Sequence, residues 1–268
     1  MKIKILVVLL LAGFSVFAQD VNRVISLAPS ITENIYLVGG KDKLVGCTSY
    51  CMLALNDGVE EIGSTVDVNV EKIFALKPDL VLTMKLTKPQ DIATLVKLGL
   101  RVEVLETPVS FDEICEQTQQ IADLIGCEDQ STEVVTKARK TVAEIQAKSK
   151  QLPTSKIFFQ IGANPVFSVL DNTFMNDFIR LCNATNIASG LTHGTLTRES
   201  VLLKNPDVII IAEMGGFGKE EQKVWSSYEG MEAVKNNKVF LISSETSCSP
   251  TPANFASALK DVYRFISE

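Results

Sequence analysis

The stretch NVEKIFALKPDLVLT (69–83) returns as TRESVLLKNPDVIII (197–211), and this pair decides the fold. Laid over one another without a gap, the two match Glu71 to Glu199, Ile73 to Val201, Phe74 to Leu202, Pro78 to Pro206 and Asp79 to Asp207. Each copy reads as a short amphipathic helix, a proline that stops it, and an aspartate leading into an apolar strand. Proline stops a helix because its ring removes an N–H donor and clashes with the preceding turn. Two copies 128 residues apart predict two lobes of one plan, each carrying a glutamate at a matching place. A cleft between similar lobes points to a binding protein.

The flanks of each copy agree with that plan. Strands are expected at Val24–Leu27, Leu44–Cys47, Asp79–Met84 and Arg101–Leu105 before the middle of the chain. After it they are expected from Lys156, at Val208–Ala212 and at Val239–Ile242. Helical segments separate them, and such alternation argues a parallel α/β sheet. Ser30 with Glu33 and Ser110 with Glu113 have capping-box spacing, and Gly39-Gly40 marks a helix end. Pro250 and Pro252 introduce a closing helix that runs to Phe265.

Between the halves lies DQSTEVVTKARKTVAEIQAKSKQ (129–151), without Gly or Pro and rich in helix formers. Val134, Val135, Ala138, Val142 and Ile145 make a narrow apolar stripe at helical spacing. A flexible tether would be rich in Gly, Ser or Pro. The segment reads instead as a stiff rod of ~32 Å crossing from lobe to lobe. The fold expected is α/β: two Rossmann-like lobes with mostly parallel sheets joined by one long α-helix. The divisions are a signal peptide at 1–18, an N-terminal lobe at 19–128, the linker helix at 129–151 and a C-terminal lobe at 152–268.

The signal peptide is read from Lys2 and Lys4, the apolar run Ile5–Ala12 and the small-residue pattern Val16-Phe17-Ala18. The apolar run is too short to favour a membrane span, and a retained signal anchor is the alternative. Losing Lys2 and Lys4 takes the net charge from −6 to about −8. An acidic balance disfavours nucleic acid, where basic patches supply most of the affinity. The expected compartment is the periplasm. All six cysteines (47, 51, 115, 127, 182 and 248) would then meet oxidising conditions, as buried free thiols or in one to three disulfides. Cys115 and Cys127 flank an apparent helix and stand too far apart to bridge. Cys47 and Cys51 are near enough if the chain turns between them.

Catalysis has little to work with. His193 is the single histidine, so neither HExxH nor a His-rich metal site can be built. No GxSxG elbow and no GxxxxGK[ST] phosphate loop occurs. Gly215-Gly216-Phe217-Gly218 lacks dinucleotide spacing and reads as a tight turn. The chain is therefore read as a non-enzyme with no cofactor of its own, an exported α/β enzyme being the rival.

Ligands of open α/β sheets bind beyond the carboxyl ends of the strands. That rule nominates Pro29 and Ser30, Tyr50 in the stretch 48–51, Val66, and Met84-Lys85 from the first lobe. From the second it nominates Phe167 at the end of 164–167, His193, Glu213-Met214, and Glu245 and Thr246 in the loop 245–248. Tyr50 and Phe167 are the aromatic candidates for flat contact, although Phe167 can equally be core and Met84 a buried strand end. His193, in the polar loop THGTLTRES, reads as a solvated residue, or as an axial contact to a metal held in a planar chelate. Glu71 and Glu199 complement the dipoles of their helices, and their coincidence fits a surface that docks on a two-fold partner.

RVISLAPSITENIYLVGG (23–40), NVEKIFALKPDLVL (69–82), KIFFQIGANPVF (156–167) and TRESVLLKNPDVIII (197–211) together resemble one family across essentially the whole mature chain. These are the substrate-binding proteins of ABC importers whose lobes are joined by a single long helix, with the cobalamin-binding members most similar. The resemblance implies a periplasmic receptor that captures a metal chelate and delivers it to an inner-membrane permease dimer. Cobalamin is the favoured ligand, with ferric siderophore or haem as the alternative. By the same resemblance Glu71 and Glu199 engage arginines on the two permease subunits, and Tyr50 and Phe167 contact the ring. Cys182 matches one half of a family disulfide, with Cys248 as its candidate partner. Tryptophans that wall the corrin pocket in the family correspond here to about Val66, Met84, His193 and Thr246, while the one tryptophan, Trp225, sits elsewhere.

Overall fold

A computed structural model describes residues 20–268 apart from Met214, so the leader read at 1–18 and the cleft candidate Met214 lie outside the described residues. The N-terminal lobe runs β1 (Val24–Ser26), α1 (Pro29–Leu37), β2 (Leu44–Cys47), α2 (Met52–Asn56), β3 (Glu60–Glu61), α3 (Val70–Ala75), β4 (Leu80–Met84), α4 (Pro89–Lys97) and β5 (Val102–Leu105). Two long helices follow, α5 (Phe111–Ile125) and α6 (Glu128–Ser149). The C-terminal lobe runs β6 (Lys156–Ala163), β7 (Val166–Ser168), α7 (Asn176–Leu181), β8 (Thr185–Asn186), α8 (Arg198–Lys204), β9 (Val208–Ala212), α9 (Gly218–Ser226), α10 (Glu232–Lys235), β10 (Val239–Ile242), α11 (Ser244–Ser247) and α12 (Pro252–Ser267).

The first sheet is wholly parallel in the order β3-β2-β1-β4-β5, and the second runs β10-β9-β6-β7 with β8 also on β6. The repeat is visible in the wiring: β1-β4-β5 and β6-β9-β10 follow the same parallel path. On their other flank the lobes diverge, because β7 returns antiparallel to β6 across the cis Asn164–Pro165 peptide.

Both copies are built by the same local chemistry. Asn69 and Thr197 cap α3 and α8 by accepting from Lys72 N and Ser200 N. Lys77 and Asn205 then turn left-handed ahead of each proline. Asp79 Oδ2 accepts the Arg23 N–H at 2.9 Å, and Asp207 Oδ2 accepts the Lys156 N–H at 2.7 Å, so each aspartate fastens the start of the neighbouring central strand.

The expected linker helix is α6, and its stripe of Val135, Ala138, Val142 and Ile145 is buried. It is not a bare strut: the stripe packs into one core with Phe255, Leu259 and Val262 of α12. Helix α5 spans the junction as well. Phe111, Ile114 and Cys115 join the C-terminal core, whereas Ile121, Ala122 and Ile125 belong to the N-terminal one. Phe111 stacks on Phe255 with centroids 4.6 Å apart, and its N–H donates to Asp177 of α7 at 2.9 Å. An interface shared by three helices leaves little room for a wide hinge.

Three expectations need correction. Ser30 is not a cap: α1 begins at Pro29 with Ala28 as N-cap, because proline suits the first helical turn, where an N–H is not needed. At Ser110 the capping box holds in part, with its side chain accepting from Glu113 N while Glu113 accepts from Val109 N one residue further out. Cys182 and Cys248 do not pair, and all six cysteines are free thiols. Cys182 follows α7 beside the amino end of β6, whereas Cys248 follows α11 beyond the carboxyl end of β10, so the parallel sheet holds them at opposite edges.

Candidate functional site

The carboxyl end of β1 delivers the chain to Pro29, and the carboxyl end of β2 delivers it to a turn closed by Cys51 N–H donating to Thr48 O at 3.0 Å. The turn lifts Tyr50 clear of the lobe, leaving it 74% exposed. Across from these, β10 leads into α11, which carries Glu245 and Thr246. Together they line a groove of about 570 Å³ between the lobes, with α1 and α2 on one side and α11 and α12 on the other. Of the ligand candidates, Pro29, Tyr50, Glu245 and Thr246 share this groove.

Ser30 and Met84 do not line the groove. Both are buried, and the Ser30 hydroxyl donates to the Met84 sulfur at 3.8 Å. Met84 is therefore a buried strand end, and Leu86, two residues on, is exposed. Val66 is exposed on a loop pinned by Thr87, whose hydroxyl donates to Thr65 O at 2.9 Å. It does not line the groove.

On the C-terminal lobe Phe167 and His193 come together. Phe167 bridges to Thr195, and Ser168 N–H donates to Gly194 O at 2.8 Å. A Cβ on Gly194 would overlap the Phe167 ring, so the absence of a side chain there lets the ring pack against Gly194. The result is a half-exposed aromatic face with His193 exposed beside it.

Glu71 and Glu199 are exposed, each the second residue of its capped helix. Their surroundings differ. Beside Glu71, Lys72 pairs with Glu60. Beside Glu199, one guanidinium nitrogen of Arg198 donates to both carboxylate oxygens of the buried Glu221, at 2.7 and 2.9 Å, and the guanidinium lies over the Trp225 ring.

The groove also holds a residue that sequence reading assigned to another job. Glu33 Oε2 accepts from Ser249 Oγ at 2.5 Å and from Asn254 Nδ2 at 2.8 Å, tying α1 to the opposite lobe. Burial raises its pKa above the usual carboxylate value, partly offset by those two donors, with Glu245 adding a small push in the same direction as burial. Asn34 Nδ2 adds a bond to Pro250 O at 3.3 Å. Four-residue spacing from Pro29 places Glu33 on the same helix face, which is the one sequence signal that could have found it.

Among the described residues no cluster of three metal-ligating side chains occurs, and no helix is long and apolar enough to cross a membrane. Comparison with known proteins adds the lineage. The periplasmic binding protein family matches residues 24–246. A vitamin B12-binding protein of Yersinia pseudotuberculosis serotype O:1b (strain IP 31758) is 30% identical over 210 residues, covering 77% of this chain and 75% of that one. An uncharacterised ABC transporter substrate-binding lipoprotein of Bacillus subtilis (strain 168) is 28% identical over 238 residues, 83% and 73% of the two chains. Among solved structures, the periplasmic vitamin B12 binding protein of Vibrio cholerae superposes with a TM-score of 0.78 at 24% identity, over 92% of this chain and 97% of that one. The periplasmic haem binding protein of the same organism gives 0.80 at 17% identity, over 92% and 99%. At such identities these two show a shared fold. The two-lobed architecture, the groove between the lobes and the match over residues 24–246 agree: this chain belongs to the periplasmic binding protein family, whose members bind substrates rather than transform them.

Proposed function

We propose that this protein is an exported receptor that captures a metal chelate, cobalamin before others, between its lobes and delivers it to the permease of an ABC importer. The observation that carries the reading is the groove to which both lobes contribute, with Tyr50 exposed at its edge. A large flat ligand gains most from aromatic faces that stay in place without it, and Tyr50 and the Phe167–Gly194 unit are two such faces. Pro29, Glu245 and Thr246 complete the contact set, with Val66 and His193 as outer contacts. The identity to vitamin B12-binding proteins favours a corrinoid.

Haem is the second reading. It is favoured by His193, exposed beside Phe167, which offers a nitrogen to an iron held against that ring. Glu71 and Glu199 are assigned to permease docking, one knob per lobe.

Thermal unfolding with cyanocobalamin, haem and a ferric siderophore tests this, since a tight ligand raises the midpoint by mass action. A rise of several degrees with cyanocobalamin is expected. A rise with haem alone selects the second reading, and no rise with any of the three chelates overturns both.

A further inference from the structure

The groove between the lobes carries charge of one sign. Glu33 and Glu245 both line it, and among the described residues no lysine, arginine or histidine does. Asn254 joins the two acids. Its Nδ2 donates to Glu33 Oε2 at 2.8 Å and to the Glu245 backbone oxygen at 3.4 Å. Ser249 Oγ donates to the same Oε2, so among the described residues Glu33 Oε1 accepts nothing. Glu33 is half-buried and Glu245 is exposed. Neither enters an ion pair among the described residues.

The neutral groups of the wall lean the same way. The Tyr36 hydroxyl is spent on Asp57 Oδ2 at 2.9 Å, and the Thr246 hydroxyl on Ser243 O at 3.2 Å. The Asn254 amide nitrogen is spent on the two glutamates. A wall with open acceptors and few free donors suits a guest that brings N–H groups. It penalises a guest carboxylate, which has no proton to offer and is packed against like charge. A cleft lined by one sign of charge strengthens that field, because its walls exclude the water that would screen it.

We infer that Glu33 and Glu245 set the charge selectivity of the groove, which admits chelates edged with carboxamides and turns away those edged with carboxylates. The inference rests on the reading of the groove as a chelate site, and it divides the candidates within that reading. The edge of a corrin bears carboxamides, whose N–H groups find acceptors in Glu33 Oε1 and the Glu245 carboxylate. A haem propionate set against the same pair meets no cation in the groove.

Cyanocobalamin and its peripheral monocarboxylic acids, each with one carboxamide hydrolysed to a carboxylate, are the probes. Every isomer is titrated separately into the protein by calorimetry, near neutral pH and at low salt. At least one acid should bind about tenfold more weakly than cyanocobalamin, and the gap should narrow as salt is raised. A gap indifferent to salt would overturn the inference. In the double variant Glu33→Gln with Glu245→Gln, the ratio of the two dissociation constants should fall to about threefold or less, whatever the absolute affinities. Glutamine keeps the size and an acceptor oxygen, so a gap caused by shape alone would persist there and count against the inference. Equal binding of cyanocobalamin and all its acids by the unsubstituted protein would also overturn it, while leaving the chelate reading intact. Failure to bind cyanocobalamin at all would remove the corrinoid reading, and this inference with it.

Discussion

Lys77 and Asn205 make the same left-handed bend, at φ 48° and 43°, each one residue before the proline of its repeat. The bend lets Arg23 and Lys156, at the starts of the two central strands, reach back to the helix ends. The Arg23 guanidinium donates to Leu76 O at 2.7 Å, and Lys156 Nζ donates to Lys204 O at 3.2 Å. Leu76 and Lys204 are themselves equivalent positions.

A side chain in the left-handed region costs roughly 1 kcal/mol that glycine avoids. Lys77→Gly should therefore leave stability unchanged or raise it by up to ~1 kcal/mol, after the entropy of the unfolded chain is subtracted. Asn205→Gly should lower stability, because Asn205 Oδ1 accepts the Glu232 N–H at 3.0 Å and glycine cannot. Urea unfolding of the two variants reads the contrast, and equal shifts would refute it.

The aspartates of the repeat are held to unequal duty. Asp79 Oδ2 accepts from both Asn22 and Arg23, whereas Asp207 Oδ2 accepts from Lys156. Charge-assisted bonds of this kind are worth about 1.5–3 kcal/mol, less where water competes. Asp79→Ala is expected to cost about 2 kcal/mol, and Asp207→Ala about half of that. Denaturant midpoints should fall in that order.

Glu33 gives the lobe junction a pH signature. Its folded pKa lies above the ordinary 4.5, so the folded state holds the proton more tightly than the unfolded chain. The stability it contributes is complete below pH 4.5 and is lost as pH rises through the elevated value. Glu33→Gln is neutral and keeps an oxygen for Ser249 and Asn254. The variant should lose this dependence and unfold at a higher temperature than the parent at pH 7.5, with the difference shrinking towards pH 4.5. A variant less stable than the parent at pH 7.5 would mean that the charge itself holds the lobes together.

Tyr50 and Gly194 separate binding from folding. Tyr50→Ala removes an exposed ring, so the unfolding midpoint should stay put while chelate affinity drops about tenfold, the equivalent of ~1.4 kcal/mol. Gly194→Ala should also weaken binding, by pushing the Phe167 ring off its seat. Isothermal titration against the chelate identified by thermal shift measures both.

Reversing both docking charges, Glu71→Arg with Glu199→Arg, should abolish uptake in cells and leave chelate affinity within about twofold, because rim charges steer association more than they hold the ligand. A loss of affinity would move the two glutamates from the docking surface to the binding site.

Much of this was legible in the chain itself. The gapless match of 69–83 to 197–211 announced two lobes of one plan and placed β4 and β9, because strand, stop and helix are local preferences written in consecutive residues, whereas the shared path β1-β4-β5 and β6-β9-β10 shows only in the sheets. The Gly- and Pro-free run after Cys127 gave α6 for the same reason. The divergent flank was not legible, since β7 and β8 are three and two residues long and owe their existence to β6 beside them. At the site, Pro29 and Tyr50, a few residues beyond their strand ends, line the groove, whereas Met84, the last residue of β4, is buried, because burial of a strand end is set by what packs on it rather than by its place in the chain.

What the sequence alone determined is the local grammar of the protein: duplicated helix–stop–strand units, their caps and their matched exposed glutamates. These follow from interactions within a few residues, which the order of side chains fixes. Tertiary structure alone decided that α5 and α12 join α6 in one junction, that Glu33 crosses the groove to Ser249 and Asn254, and that Cys182 and Cys248 stay unpaired. Contacts between residues hundreds of positions apart depend on how finished lobes pack, and no short window of sequence carries that information.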